Sequence, residues 1–379
     1  MISKETALKQ KTKLLCSGLY LDEELIDHYK NQGIFIDYGR KGGAGPSGGR
    51  YFLLEDNSTL VNIALWNSPK KTDLFLKENK DGFFEVFNEK SNALFGKLKL
   101  IQNPHYYSPE YKTSDGIPMK KIALVHGIDC LASTIYQKCV YWACGEACSF
   151  CGIEVSLQND STIEEKNATQ MSEVITTAKK EGRCAHMTLT SGTDESIDKG
   201  AKRYIELLKG IKKDHPNLPL HIQIEALEDL NYFDKLKEAG ADTIGIHIEV
   251  LNEDLRRDVT PGKFHLSYQL YEENWKHAID IFGENQVSSY VLTGFGEEKE
   301  NFLKDIEHLI SLGVIPFITP VRAIPGKRDL PLTNYDDLLE IYKRSGELMR
   351  EYGVNPLKNK AGCVRCGGCS AIKEAYQVF

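Results

Sequence analysis

Residues 243–250 have the sequence Thr-Ile-Gly-Ile-His-Ile-Glu-Val, an almost continuous run of apolar and β-branched side chains. Such a run is typical of a strand in a parallel sheet, because helices cover both faces of the sheet and bury the strand. The flanking segments alternate between apolar strands and amphipathic helices. One helix, predicted over residues 171–181, spaces its apolar residues from Met171 to Ala178 at positions i, i+3, i+4 and i+7.

The alternation extends over residues 121–330 and predicts an α/β fold. Strands are predicted over residues 122–125, 132–140, 186–189, 220–224, 243–250, 287–292 and 314–319. About six strand–helix units in roughly 200 residues predict a parallel sheet that closes fully or partly into a (β/α) TIM-like barrel. A doubly wound open sheet is the alternative, but no GxGxxG motif follows an early strand, which disfavours it.

The sequence on either side of the barrel predicts two further parts. Residues 1–120 combine two predicted helices, several short strands and a Gly-rich loop at 39–50, which together indicate an N-terminal α+β domain. That loop could cradle a phosphate, although it lacks the GK[ST] of a P-loop, or it could cover the barrel mouth or contact a partner. Residues 331–379 are predicted to form one long helix, at 334–352, followed by a cysteine-rich tail.

Charge and hydropathy exclude several classes of protein. The chain has 379 residues and a net charge of −7, which argues against non-specific nucleic-acid binding and against a polybasic membrane anchor. No apolar run reaches the about 18–20 residues that span a bilayer, and the start, MISKETALKQKTKLL, is too polar for a signal peptide. We therefore expect a cytoplasmic protein without nucleic-acid or membrane partners.

Cysteines give the first positive signal, because six of the ten fall in two tight clusters. In a reducing compartment such clusters bind metal more often than they form disulfides. The first cluster, Cys144, Cys148 and Cys151, has the spacing CxxxCxxC and follows a predicted strand, so it is expected at the carboxyl end of the barrel, where barrel active sites lie. Three thiolates can hold three irons of a [4Fe–4S] cluster and leave the fourth iron open. A structural metal site is the alternative, but zinc usually needs a fourth Cys or His nearby.

The second cluster, Cys363, Cys366 and Cys369, has the spacing CxxCxxC and favours another iron–sulfur cluster. A ferredoxin would add a fourth cysteine followed by proline, and the tail has neither. Ser370, Arg365 or an exogenous group could complete the ligand set. A zinc knuckle and unpaired C-terminal thiols remain alternatives. We expect the tail to fold back over the barrel mouth beside the first cluster.

The CxxxCxxC spacing, the aromatic Phe150 before its last cysteine and the downstream strand–helix units resemble the radical S-adenosylmethionine (SAM) superfamily. The resemblance implies a cluster that gives one electron to SAM, so that a 5′-deoxyadenosyl radical abstracts hydrogen from an unactivated carbon. It assigns Cys144, Cys148 and Cys151 as the catalytic cluster ligands. Cys139 lies nearby in the sequence and is an alternative ligand.

The same resemblance implies a set of cofactor contacts: Phe150, Ser191, Gly192, Thr193, Glu249, Arg257, Gly294 and Gly296. Where the family has a Gly-Gly-Glu stretch, this chain has a single glycine, Gly192, and its nearest glutamate is displaced to Glu195. Glu249 suits a ribose hydroxyl and Arg257 the methionine carboxylate, although the two residues could instead form a surface ion pair. The glycines of the Leu292–Glu297 stretch allow the backbone to run close beside adenine.

Four stretches, GRKGGAGPSGGR, CGIEVSL, TPGK and KAGCVRCGGCSA, look like a biotin synthase-related branch of this superfamily, which includes one partner of the two-protein lipoyl synthases. The branch implies two [4Fe–4S] clusters, SAM and a sulfurtransferase of lipoate biosynthesis. Its substrate would be an octanoyl chain on a protein lysine, and the second cluster would supply sulfur at unactivated C–H positions.

The branch also implies partners: an acyl-carrier or lipoyl-domain protein as substrate, a reductant such as ferredoxin or flavodoxin, and a second radical SAM protein. Two alternatives remain open. One is another radical SAM enzyme, biotin synthase-like or with an unknown substrate, whose second cluster relays electrons or binds substrate. The other is an iron–sulfur electron carrier without enzyme activity.

Overall fold

A computed structural model describes residues 2–36, 49–322 and 333–379 of the chain. Most of the Gly-rich loop predicted at 39–50 lies outside the described residues, so the phosphate and partner alternatives for it stay predictions. Of that loop the structure describes Gly49 and Arg50, and the Arg50 guanidinium donates to the carbonyl of Phe35 at 3.1 Å.

The described residues contain fourteen strands and fourteen α-helices. The strands are β1 (Leu19–Tyr20), β2 (Arg50–Leu54), β3 (Leu60–Ile63), β4 (Leu65–Trp66), β5 (Leu74–Lys80), β6 (Phe83–Asn88), β7 (Ala93–Leu100), β8 (Leu124–His126), β9 (Cys130–Thr134), β10 (His186–Thr190), β11 (Leu220–Ile224), β12 (Thr243–Ile246), β13 (Val287–Thr293) and β14 (Ile315–Pro320). The helices are α1 (Lys4–Ser17), α2 (Glu23–Lys30), α3 (Met119–Ile122), α4 (Val140–Ala143), α5 (Ile153–Gln158), α6 (Ala168–Lys180), α7 (Ala201–Asp214), α8 (Asn231–Glu238), α9 (Glu253–Val259), α10 (Tyr268–Phe282), α11 (Lys299–Ser311), α12 (Tyr335–Glu351), α13 (Gly362–Cys366) and α14 (Ile372–Val378). None of these helices is both long enough and apolar enough to cross a bilayer.

One sheet has the order β14-β13-β12-β11-β10-β9-β8. Strands β9 to β14 pair in parallel, and β8 pairs antiparallel with β9 at one edge. The sheet curves into a nearly closed barrel with helices outside, which confirms the predicted α/β fold of partial TIM type. Because the strands run in parallel, the segments that follow them all emerge at one end of the barrel.

Three helices are fixed to the barrel by aromatic side chains that donate hydrogen bonds to strand carbonyls. Tyr204 of α7 donates to Gln223 at 2.6 Å, Trp275 of α10 to Ile246 at 2.9 Å, and Tyr342 of α12 to Ile318 at 2.9 Å. Buried aromatic side chains with a polar tip usually find such partners. Each bond therefore combines the burial of a large ring with satisfaction of its polar group.

Two predicted strands end earlier than expected. Strand β9 ends at Thr134, and the predicted continuation to residue 140 leaves the sheet to begin α4. Strand β12 ends at Ile246, although Ile248 and Val250 beyond it are buried. The apolar run in the sequence therefore reports burial of the segment, whereas Glu249 within it has a φ of +58°, which is incompatible with a regular strand.

A second sheet, in the N-terminal part, has the order β3-β2-β7-β6-β5-β1-β4 and is mainly antiparallel. The sequence predicts strands here over residues 51–54, 60–65 and 83–87, so β1, β5 and β7 were not predicted. One continuous apolar core joins this sheet to the barrel, with Phe52 and Ile318 among its members. The domain boundaries at residues 120 and 330 stay predictions.

The C-terminal tail packs against the amino ends of the barrel strands. The Gly362 amide donates to His186 Nδ1, at the start of β10, at 3.1 Å. The Thr243 hydroxyl, at the start of β12, donates to the carbonyl of Ala361 at 3.4 Å. The tail therefore covers the end of the barrel opposite to the loop with Cys144–Cys151, whereas the sequence analysis expected it at the same end.

The tail also packs on the N-terminal part of the chain. The Lys11 ammonium, fully buried on α1, donates to the Gly367 carbonyl at 2.8 Å and to Glu374 at 2.9 Å. The Asn62 amide of β3 donates to the Gly368 carbonyl at 2.7 Å. Contacts to both sheets hold the segment that contains the tail cysteines.

We predict that Gly362→Ala destabilises the protein more than Gly353→Ala. Both glycines have positive φ, 85° and 73°, so alanine is strained at either position. A Cβ at Gly362 would lie 2.3 Å from the His221 ring, whereas at Gly353 it meets nothing within 4 Å. Overpacking of this kind costs about 1–3 kcal/mol, so denaturant unfolding should give a free energy of unfolding lower by that amount for Gly362→Ala. Equal values for the two variants would show that the tail is not packed there.

Candidate active site

A cavity of about 1470 Å³ occupies the barrel interior. Cys148 and Cys151, from the loop after β9, line it at the carboxyl end of the strands. The three tail cysteines, Cys363, Cys366 and Cys369, line the same cavity. The structure therefore brings five of the six clustered cysteines to one interior space, whereas Cys144 is exposed and lies outside the cavity lining.

Three backbone hydrogen bonds hold the first cysteine loop in place. The Val140 amide donates to Thr193 at 2.8 Å, the Ser149 amide to Val259 at 2.8 Å, and the Gly262 amide to Glu146 at 3.2 Å. The loop is thereby tied to the segments that follow β10 and β12. A loop held in this way can present its cysteines without support from secondary structure of its own.

The three cysteines of this loop differ in exposure, because Cys144 is exposed, Cys151 half-buried and Cys148 buried. Burial raises the pKa of Cys148 well above its usual value and that of Cys151 to about 11. The thiols of Cys148 and Cys151 are therefore protonated near neutral pH, and binding a metal would release their protons.

A donor set of three unpaired thiols fits iron, since thiolates are the usual ligands of iron–sulfur clusters. Across residues 2–36, 49–322 and 333–379, no three Cys, His, Asp or Glu side chains converge on a single ion position. A cluster does not require such convergence, because each thiolate binds a different iron. Cys139, the alternative ligand, caps α4 and also lines the cavity.

Phe150 forms an apolar wall beside the loop. It packs in a small cluster with Val250, Val259 and Leu292, and its ring centroid lies 6.3 Å from that of Phe295. This cluster joins the segments that follow β12 and β13 to the cysteine loop. It shields that side of Cys148 from water.

The stretch after β10 runs very close to the preceding loop. A Cβ at Gly192 would lie 1.8 Å from the Lys138 carbonyl, so only glycine fits there. The Ser191 hydroxyl donates to the Gly192 carbonyl at 2.8 Å, and the Thr193 hydroxyl donates to Glu225 at 3.0 Å. All three predicted residues, Ser191, Gly192 and Thr193, line the cavity.

Glu225 is a site residue that the sequence analysis missed. It follows β11 directly and accepts hydrogen bonds from the Tyr141 hydroxyl at 2.8 Å and from Thr193. It lines the cavity, whereas Glu195, the glutamate nearest in sequence to Gly192, is exposed. The sequence could have predicted this position, because a carboxylate that directly follows a barrel strand is expected at the carboxyl end of the barrel.

Glu249 lies beside the cavity in a buried ion pair with Lys263, whose ammonium lies 2.8 Å from Glu249 Oε1. Glu249 Oε2 is buried and has no hydrogen-bond partner among the described residues. Burial alone would lower the pKa of Lys263, but the Glu249 carboxylate and other negative groups nearby raise it well above its usual value. Lys263 belongs to the TPGK stretch, yet the sequence analysis gave it no role.

The remaining predicted cofactor contacts lie outside the cavity lining. The Arg257 side chain is exposed, stacks on the Phe264 ring with 4.9 Å to the centroid, and lies 3.9 Å from Asp254. Gly294 and Gly296 form a turn after β13. These contacts stay predictions, and the structure brings neither Arg257 nor the two glycines to the cavity.

The turn at Gly294 and Gly296 has a structural explanation. Glu297 accepts hydrogen bonds from the amides of Gly294 at 2.7 Å and Phe295 at 2.9 Å. A Cβ at Gly294 would lie 2.6 Å from the Thr333 hydroxyl. Packing against Thr333 therefore accounts for this glycine without a nucleotide.

The tail cysteines contact polar groups of the barrel and of the N-terminal sheet. Gln223 of β11 donates to Cys363 Sγ at 3.4 Å, and the Tyr51 hydroxyl lies 4.0 Å from Cys369 Sγ. Burial raises the pKa of Cys363 to about 12. The tail thiols are thus enclosed and surrounded by hydrogen-bond donors.

Among known proteins, the family model of the Radical SAM superfamily matches residues 140–310 of the chain. The chain is 25% identical over 172 residues to a 7-cyano-7-deazaguanine synthase of Helicobacter acinonychis, covering 42% of this chain and 71% of that protein. It is 25% identical over 195 residues to a lipoyl synthase of Mannheimia succiniciproducens, covering 51% of this chain and 58% of that protein. It is also similar to the crystal structure of a radical SAM methyltransferase from Sphaerobacter thermophilus, with a TM-score of 0.46, 11% identity, and coverage of 76% of this chain and 77% of that one.

We predict that Lys263→Met lowers the free energy of unfolding by about 3–5 kcal/mol, because removal of one partner leaves the other charge buried. The double variant Lys263→Met/Glu249→Gln should recover most of that loss. The control is Lys276→Met, in an exposed pair with Glu272 at 3.1 Å, where the change should stay below about 1 kcal/mol. Denaturant unfolding measures all three. Additive losses in the double variant would mean that the two groups do not act as a pair.

Proposed function

Because the chain carries a radical SAM domain, we propose that it is an enzyme that inserts sulfur at an unactivated C–H group of a substrate bound between two iron–sulfur clusters. The single observation that carries this proposal is that Cys148 and Cys151 of the first cluster and all three tail cysteines line one cavity. The family implies a [4Fe–4S] cluster and SAM, and the second cluster is part of the proposal.

When bound, the first cluster and SAM would supply one-electron cleavage of SAM and hydrogen-atom abstraction from carbon, and the second cluster would supply both the sulfide and a ferric acceptor for the remaining electron. Cys144, Cys148 and Cys151 would hold the first cluster. Cys363 and the two later tail cysteines would hold the second.

The side chains after β10, β11 and β12 would bind SAM. Glu249 Oε2 is buried without a partner, and an unpaired buried oxygen is unfavourable. A ribose hydroxyl that donates to this oxygen would satisfy it. Glu225, which already accepts from Tyr141 and Thr193, would orient the polar segment next to the methionine amine.

The middle of the cavity would hold the reacting part of the substrate. His247 Nδ1 accepts from the Tyr290 amide at 3.0 Å, and its Nε2 is buried without a partner among the described residues. Burial keeps the pKa of His247 well below its usual value, so the imidazole is neutral. Together with Gln223, His247 would provide hydrogen-bonding groups for a polar substrate in this part of the cavity.

For the substrate we propose an octanoyl chain on a lysine of a lipoyl-domain or acyl-carrier protein, with ferredoxin or flavodoxin as reductant and a second radical SAM protein as partner. The similarity to a lipoyl synthase supports this choice. The polar side chains of His247 and Gln223 favour a second candidate. This is a radical SAM enzyme that acts on a polar substrate and whose tail cluster either binds that substrate or relays electrons to it.

We expect single Ala variants of Cys144, Cys148 and Cys151 to lose 5′-deoxyadenosine formation, because alanine cannot bind iron. The control is Cys184→Ala, which removes a buried thiol that lies outside the cavity lining. Chromatography of anaerobic reactions with SAM and dithionite measures the product. Undiminished cleavage in all three single variants would refute the ligand assignment, and cleavage absent from the parent protein would favour an electron carrier.

A second prediction separates sulfur insertion from electron relay. The protein is rebuilt with ³⁴S-labelled sulfide and given an octanoyl-lysine lipoyl domain for a single anaerobic turnover. Mass spectrometry should detect labelled sulfur in the product, and a variant with Ala at the three tail cysteines should cleave SAM without forming it. A product that contains only unlabelled sulfur would support the second candidate. The same conclusion would follow if 5′-deoxyadenosine forms but no acyl-carrier substrate gains sulfur.

A further inference from the structure

The barrel wall brings a fourth thiol to the tail cysteines. Cys130 is the first residue of β9 and is almost completely buried, with 1% of its surface exposed. Its thiol lies 3.5 Å from the Thr188 hydroxyl of the neighbouring strand β10. Cys130 and the three tail cysteines all line the interior cavity.

Glycines allow the tail to approach this strand closely. Gly127 lies in the turn between β8 and β9, with a φ of +62°, and a Cβ there would lie 3.3 Å from Cys366 Sγ and 2.4 Å from the Leu60 side chain. Gly368 in the tail would place a Cβ 2.7 Å from the Tyr51 ring. Larger residues at these positions would push Cys366 away from β9.

We propose that Cys130 is the fourth protein ligand of the tail cluster, so that Cys130, Cys363, Cys366 and Cys369 form a four-thiolate site. This inference rests on the second cluster of the proposed function. Four cysteines are the complete ligand set of a [2Fe–2S] or [4Fe–4S] cluster. They come from two parts of the chain, one strand and one tail, and cluster binding would join the two.

The other candidates for the fourth ligand have partners elsewhere. The Ser370 hydroxyl accepts from the Ile372 amide at 3.4 Å, at the start of α14. Arg365 donates to the Lys360 carbonyl at 2.8 Å. Neither interaction directs the side chain toward the three tail thiols, whereas Cys130 lines the cavity with them and follows the turn at Gly127, which closely approaches Cys366 Sγ.

The charges around the site suit a buried anionic cluster. The Lys11 ammonium donates to the Gly367 carbonyl at 2.8 Å, and the Lys373 ammonium donates to the Arg365 carbonyl at 2.7 Å, so both lie against the segment of the tail cysteines. Buried negative charge is unfavourable unless it is paired. Lys11 also pairs with Glu374, and together the two basic side chains would partly offset the charge of the four thiolates.

A fourth thiolate also changes how sulfur would leave the tail cluster. With three cysteines, one iron lacks a protein ligand and can depart readily. With Cys130 bound, every iron of a [4Fe–4S] cluster has a thiolate. Loss of sulfide would then require Cys130 or another cysteine to release its iron, so the cluster should withstand oxidants and chelators better than the first cluster.

The test uses the full chain with Ala at Cys144, Cys148 and Cys151, so that only the tail can hold a cluster. This parent is reconstituted anaerobically beside two further variants that add Cys130→Ala or the control Cys184→Ala. Iron and acid-labile sulfide per chain are measured together with Mössbauer and EPR spectra. We expect Cys130→Ala to lose most of the iron, or to keep a cluster with one spectroscopically distinct iron, and Cys184→Ala to match the parent.

Two outcomes distinguish failure of this inference from failure of the proposed function. An unchanged cluster in Cys130→Ala would overturn the fourth ligand and leave the second cluster intact. No iron–sulfur cluster in the parent would refute the second cluster, and this inference with it. A Cys130→Ser variant guards against misfolding: its oxygen can still bind iron, so it should retain iron with a shifted reduction potential, and a potential equal to the parent's would count against ligation.

Discussion

The Gly362 amide donates a hydrogen bond to His186 at the amino end of β10. The position of the tail depends on this close contact between the tail backbone and the barrel. A side chain at residue 362 would collide with the His221 ring, so the backbone itself lies against the amino ends of the strands. This approach places Cys363 one residue further on, within the barrel, where Gln223 donates to it. Without the docking the tail cysteines would not reach the cavity.

The two ends of the barrel differ in chemistry. At the carboxyl end, buried charges are paired, as in the contact between Lys263 and Glu249. Glu249 Oε2 is buried there without a hydrogen-bond partner among the described residues, as expected of a site that binds a polar ligand. At the amino end the basic side chains of Lys11 and Lys373 lie beside the tail cysteines, and Lys11 is also paired with Glu374. A polar cofactor would suit the first end and an anionic cluster the second.

The sequence predicted the barrel well because strand burial and helix periodicity are local properties. Strand β11 was predicted with its observed bounds, and β10, β13 and β14 were predicted to within one residue at each end. Strands β9 and β12 end before the predicted strands because the apolar run continues past the sheet. Glu225 could have been found from its place after β11. Cys130 could not, since its proposed role depends on Cys366, which is distant in the sequence and approaches this strand only in the folded protein. Arg257 was chosen for its charge, but the helix places it on the surface.

The central claim is that one cavity holds two clusters, and anaerobic crystals of the iron-loaded protein test it most directly. Anomalous diffraction at the iron absorption edge locates every iron without prior assumptions about ligands. The account predicts two separate iron sites inside the barrel, one beside Cys148 and Cys151 and the other beside Cys130 and Cys366. A single iron site, or a second one outside the barrel, would contradict it.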